Sequence, residues 1–180
     1  MLRISGGSYR SRMIETPDEG TVPTKNRVRE AMMNALQNDL PGSVVLDLFA
    51  GSGALGIEGL SRGAKEAIFV DVAPKAQKVI EANLRTLKAS NAVLLKCDAL
   101  SALKRLSQEG KKLDVIFLDP PYALNDLYLD SIALIGELHL LNDDGALVVE
   151  FEGERPGEFS EFAREKMYNY GRTHVLILRK

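Results

Sequence analysis

Five short apolar runs, near 44–50, 67–71, 92–97, 113–118 and 145–151, alternate with stretches whose apolar residues recur at helical spacing, near 25–38, 53–62, 73–88, 98–108 and 126–140. Short continuous apolar runs separated by amphipathic helices are what a mostly parallel sheet, covered on both faces, requires. Turn signals stand where that reading needs them: Pro41-Gly42 before the first run, Gly63 after the helix it ends, and Asp143-Asp144-Gly145 before the fifth run. Toward the C-terminus, 166–170 and 174–179 are two β-rich runs joined through Gly171-Arg172-Thr173, the pattern of a closing antiparallel hairpin. The first 20 or so residues, with Gly6-Gly7 and Pro17 through Gly20, stand outside the alternation and read as an appended arm or small hairpin.

At 180 residues the chain suits one domain, since a domain takes roughly 100 to 200 residues. The expected division is an arm over 1–22 and a core over 23–180. No apolar run approaches the roughly 18 to 20 residues of a membrane span, and Met1 to Gly7 lacks the apolar stretch of a signal peptide. A cytoplasmic protein with no membrane partner is therefore expected. The lone Cys97 is expected to be a reduced core thiol, and His139 and His174 have no partner at ligand spacing, so no metal is expected.

Charge alters this picture locally. The net formal charge of −2 argues against coating of naked nucleic acid by charge alone. Residues 1–30, however, carry six basic groups (Arg3, Arg10, Arg12, Lys25, Arg27, Arg29) against four acidic ones, and Arg3, Arg10 and Arg12 precede any acid. Such an arm serves either as a solvated hairpin or as a contact for phosphates.

Gly51-Ser52-Gly53-Ala54-Leu55-Gly56 follows the first apolar run and matches G-x-G-x-x-G, with Asp71 lying 20 residues after Gly51. That is also the fingerprint of a dinucleotide site. Asp47, at the carboxyl end of the strand, opposes that reading, because its carboxylate would repel a pyrophosphate and attract an ammonium. The pattern predicts S-adenosyl-L-methionine instead of NAD. Ligands in such sheets lie at the carboxyl edge, so Phe49, Gly51 and Gly53 are expected beside the cofactor. Asp71 is expected to accept from the ribose hydroxyls, Asp98 from the adenine amino group, and the Ala99 backbone to donate to the ring. Asp71 would equally serve as a turn residue and Asp98 as a helix N-cap.

Asp119-Pro120-Pro121-Tyr122 ends the fourth apolar run. Two prolines stiffen the loop and fix φ. An exocyclic amine on a base is a poor nucleophile because its lone pair is conjugated with the ring, so a site must bind both N–H groups and aim the lone pair. The Asp119 carboxylate and the Pro120 carbonyl supply two acceptors, with Asp119 also able to take the proton. Tyr122 offers a ring on which a base can stack.

With these motifs in place the chain resembles the Class I methyltransferases, and more closely the RsmD family, which methylates guanine N2 in 16S ribosomal RNA of the small subunit. The resemblance runs over Ile4 to Arg12, Pro23 to Met32, Asp47 to Leu60 and Asp119 to Tyr122. It implies a Rossmann-like α/β sheet of seven strands with the last antiparallel, helices on both faces and S-adenosyl-L-methionine as donor. It also implies, as partner, ribosomal RNA in a partly assembled small subunit, with Arg3, Arg10, Arg12, Arg27 and Arg29 toward the RNA. The chain departs from the family's usual pattern at Val22, Lys25 and Asn26, and at Ser11, where glycine is common. Competing readings are an N6-adenine methyltransferase, a methyltransferase of a protein glutamine amide, and a catalytically silent RNA-binding module. The intact cofactor loop and Asp119 speak against the last.

Overall fold

A computed structural model describes residues 1–17, 23–120 and 125–180 of the chain. A two-stranded hairpin, β1 (Leu2–Arg3) and β2 (Met13–Ile14), precedes α1 (Pro23–Ala35). Then follow β3 (Val44–Asp47), α2 (Ala54–Ser61), β4 (Glu66–Val70), α3 (Pro74–Leu87), β5 (Ala92–Leu95), α4 (Ala99–Gln108), β6 (Leu113–Leu118) and α5 (Asn125–Glu137). The chain closes with β7 (Leu141–Glu152), β8 (Arg164–Tyr170) and β9 (Thr173–Arg179).

One seven-stranded sheet runs in the order β5-β4-β3-β6-β7-β9-β8. The five strands from β5 to β7 are parallel, and β9 runs antiparallel to both β7 and β8. The expected hairpin at the C-terminus forms, but its second arm is the one that inserts beside β7. Val175, Leu176, Ile177 and Leu178 of β9 are buried, whereas β8 is largely exposed. The more apolar strand therefore takes the interior position.

Apolar side chains from successive strand positions go to opposite faces, as the pleat demands. Leu46, Ile116, Leu147 and Leu176 pack with α4 and α5. Val45, Phe69, Val115, Phe117 and Val148 pack with α1, α2, α3 and the N-terminal hairpin. Leu2, Ile4 and Ile14 are part of that second core, so the arm is docked onto the domain by buried side chains.

Several boundaries shift by a few residues from the sequence expectation, and two of the shifts have a plain cause. The helix expected to reach residue 140 ends at Glu137, and His139 has a φ of 49°, which a continuing helix does not permit. Asp143-Asp144-Gly145, expected as a turn before the strand, lies inside β7. Leu113 pairs with Leu141 while Val115 pairs with Ala146, so extra residues of β7 bulge out of register.

β4 and β5 lie on one side of β3, and β6 and β7 on the other. The order of connection reverses between β3 and β6, and a crevice at the carboxyl ends follows from that reversal.

Candidate functional site

A cavity of about 610 Å³ occupies that crevice. Asp47, Phe49, Gly51, Asp71, Asp98, Ala99, Asp119 and Pro120 all line it, together with Ser52, Val72, Cys97, Leu127 and Lys25. Residues far apart in sequence thus converge from the ends of β3, β4, β5 and β6. Gly53 is the N-cap of α2 and not part of the wall. Tyr122 lies outside the described residues.

Backbone geometry explains the glycines. Gly51 and Gly53 have φ of 56° and 79°, a region costly to residues with a Cβ. Gly56 is needed for a different reason: a Cβ there would come within 2.3 Å of the Phe69 ring, so glycine lets α2 approach β4.

Asp71 holds this loop. Its Oδ2 accepts from the Gly51 N–H at 2.8 Å and its Oδ1 from the Ala73 N–H at 2.8 Å. Asn83 of α3, also buried, donates to the Ser52 carbonyl and to the Glu15 carbonyl, each at 3.0 Å, and accepts from the Glu15 N–H at 2.7 Å. One amide thereby ties the glycine loop to the end of the N-terminal hairpin, a link that no local sequence signal marks. Asp98 caps α4, accepting from the Ser101 N–H at 2.9 Å and the Ser101 hydroxyl at 2.7 Å. Those two bonds, the hydroxyl first, hold its carboxyl below the usual carboxylate range. Cys97, expected in the core, is only half-buried and faces the cavity, and burial pushes its thiol up.

Asp47 is 2% exposed and accepts one hydrogen bond, from the Gly56 N–H at 2.9 Å. Burial raises its pKa to about 7, an effect the Gly56 bond opposes and the neighbouring Asp119 and Asp71 reinforce. A buried carboxylate with one backbone donor and two acidic neighbours suits a cation in the cavity and opposes an anion.

Asp119 is likewise pushed above its ordinary value, by burial first and also by Glu152, while Lys25 pulls it down. The Tyr128 hydroxyl of α5 is buried without a hydrogen-bond partner among the described residues, and burial followed by Asp119 raises its pKa. Glu150 on β7 is pushed up as well, again by burial first and then by Asp119. Lys25, in a stretch expected to meet RNA or the cofactor, stands in the cavity wall, whereas Glu150 as a neighbour of the site was not expected from the sequence. An acid inside the apolar run Ala146 to Phe151 was the available sign of the second.

The basic residues separate into two groups. Arg3, Arg10, Arg12 and Arg27 are exposed, with Arg12 also donating to the Thr86 carbonyl at 3.0 Å. Arg29, expected toward RNA, is 7% exposed and points inward. It donates to Glu58 at 3.3 Å, to Asn26 at 3.0 Å and to the Arg3 carbonyl at 2.9 Å. Glu58, fully buried in α2, also accepts from the Ser5 N–H at 2.7 Å and pairs with Arg62 at 3.5 Å. Arg29 therefore belongs to the joint that seats the arm, because a buried carboxylate needs its charge balanced where it lies.

Seven strands in this order, with a glycine loop, Asp47, Asp119 and Pro120 around one cavity at the carboxyl edge, make the fold that of a Rossmann-like Class I methyltransferase. The family described as Conserved hypothetical protein 95 matches residues 2–179. The chain is 38% identical over 154 residues to Ribosomal RNA small subunit methyltransferase D of Escherichia coli K12, covering 85% of this chain and 76% of that one. It is 37% identical over 183 residues to YlbH of Bacillus subtilis, covering 99% of each. The chain belongs to this family, that of the RsmD methyltransferases. Among solved structures, a Thermus thermophilus RsmC, a 16S rRNA N2 methyltransferase in complex with AdoMet and guanosine, shares the fold. Its TM-score is 0.72 at 21% identity, over 90% of this chain and 44% of that one.

Proposed function

We propose that the chain is an S-adenosyl-L-methionine-dependent methyltransferase acting on the exocyclic N2 amine of a guanine in small-subunit ribosomal RNA. The observation that carries the reading is that Asp47 and Asp119 line the same cavity: one acid suited to a cation, the other standing beside Pro120. The name of the Escherichia coli relative supports the RNA class.

In this reading Asp47 takes the ammonium of the methionine moiety, Asp71 the ribose hydroxyls, and Asp98 and the Ala99 backbone the adenine. Phe49, Gly51 and Gly53 shape the loop around it. Bound there, the cofactor would supply a methyl group activated on a sulfonium, whose sulfur would leave with the C–S electron pair. Asp119 and the Pro120 carbonyl hold the two N–H groups of the amine, and Asp119 takes the proton released. Tyr122 stacks the target base. Arg3, Arg10, Arg12 and Arg27 meet phosphates of a partly assembled subunit in the cytoplasm.

The test is incubation of the protein with labelled S-adenosyl-L-methionine and small subunits lacking the modification, followed by mapping of the methylated base. Label on guanine N2 is expected, and Asp119→Ala should lower the single-turnover rate at least about 100-fold with cofactor binding retained. Label on adenine N6, on a ring nitrogen or on carbon, or full activity in Asp119→Ala, overturns the reading.

A further inference from the structure

Three acids leave one face of the sheet at its carboxyl edge. Val45, Phe117 and Val148 pack on the face covered by α1, α2 and α3. Asp47, Asp119 and Glu150 each lie two residues beyond them, and side chains alternate between faces along a strand. All three therefore project to that side. Leu118 is opposite Val149 in the parallel β6–β7 pair. Asp119 and Glu150 are the next residues on the two chains, whose backbones run about 4.8 Å apart. Glu150 is only 8% exposed and does not line the cavity. It stands behind Asp119, where the reaction described above makes no use of it.

Two carboxylates on neighbouring strand ends repel one another, and the burial of Glu150 adds to the cost of ionising both. Among the described residues, the charged groups around Glu150 are Asp119 just past β6, Lys25 from α1 and Glu152 from its own strand. β9 sets Val175 opposite it. A single ammonium against three carboxylates leaves an excess of negative charge, which a bound proton relieves. Glu150 is buried at 8% exposure and away from the cavity, whereas Asp119 is only half-buried and opens onto it, so desolvation favours the neutral acid at Glu150. The proton rests on Glu150 and the charge on Asp119.

We propose that Glu150 is the positioning residue for Asp119: as a carboxylic acid it donates its O–H to one oxygen of the Asp119 carboxylate, fixing that group's orientation and leaving the other oxygen for the amine. The inference rests on the reading of Asp119 as the amine's acceptor. It assigns Glu150 no contact with cofactor or base.

Single-turnover methyl transfer to small subunits, measured against pH with the full chain, tests it. Wild-type activity should fall on the alkaline side as Glu150 loses its proton. Glu150→Ala should lower the rate constant about tenfold or more while leaving cofactor affinity intact, as expected when an oriented acid–base group loses its support. Glu150→Gln keeps an N–H donor at every pH, so it should restore most of the loss and move the alkaline limb to higher pH, leaving the acid limb in place. If Glu150→Ala does not fold, the shape of the Glu150→Gln profile decides alone. A wild-type alkaline limb in Glu150→Gln, or a wild-type rate in Glu150→Ala, overturns the proposal. Full activity in Asp119→Ala on the same subunits would instead overturn the reading of Asp119 beneath it.

Discussion

The Asp71 carboxylate accepts a hydrogen bond from the Gly51 backbone N–H at 2.8 Å, so the residue expected to meet a ribose also shapes the loop. A carboxylate has room for further donors beyond the two backbone groups it already binds. Asp71→Ala should therefore weaken cofactor binding in two ways, by loss of the ligand bonds and by release of the loop. The combined cost is expected at about 1 to 3 kcal/mol. Calorimetric titration reads it directly, and an unchanged affinity would confine Asp71 to the turn.

Asp47 makes both stability and ligand affinity depend on pH. Its native pKa of about 7 stands above the ordinary 3.8, so the folded state binds this proton more tightly than the unfolded chain does. The contribution is fully present below the ordinary value and is lost as pH rises through about 7. Asp47→Asn should raise the melting temperature of the ligand-free protein at pH 8 and not at pH 4, with the amide oxygen still accepting from the Gly56 N–H. A cationic ligand needs the ionised form. Cofactor affinity should thus fall by up to about tenfold per pH unit below the Asp47 pKa, and Asp47→Asn should abolish most of the binding.

Much of this arrangement was legible in the sequence, for reasons that differ by element. The buried parallel strands announce themselves as continuous apolar runs, and β6 spans Leu113–Leu118 as expected. The converging acids were legible because a strand end followed by Gly or Pro marks the carboxyl edge of such a sheet. Long-range polar pairings were not, since nothing local in Asn83 or Glu58 tells which backbone atoms they meet. The insertion of β9 beside β7 is equally non-local. Ser11 shows the converse case: it has a φ of 67°, and that left-handed conformation gives a physical reason for the glycine common at this place in the family.

The Arg29–Glu58 joint predicts a loss of stability and not of RNA contact. Glu58 is fully buried, with Arg29 beside it at 3.3 Å. Removing Arg29 takes away one of the two guanidiniums that balance Glu58, with Arg62 still paired at 3.5 Å, so the cost is expected at the low end for breaking a buried pair, about 3 kcal/mol or less. Arg29→Ala should lower the denaturation midpoint and raise the proteolytic sensitivity of the arm. Replacement of both, Arg29→Met with Glu58→Gln, should recover part of the loss. A stable Arg29→Ala protein with reduced RNA affinity would place Arg29 at the RNA instead.

The exposed arginines predict the opposite signature. Arg10 and Arg27 lie on the surface, and no hydrogen bond to an acid holds either among the described residues. If each neutralises one phosphate, its replacement by Ala should leave the melting temperature and cofactor affinity unchanged. It should also flatten the dependence of log affinity on log salt by roughly 0.7 to 0.9 for each phosphate no longer neutralised. Arg12 should give a mixed result, because its guanidinium also donates to the Thr86 carbonyl and part of its effect is structural. Binding of the intact subunit at several salt concentrations separates these cases. Slopes unchanged in Arg10→Ala and Arg27→Ala together would remove both Arg10 of the arm and Arg27 of α1 from the RNA interface, because a phosphate that loses its arginine must take back a counterion.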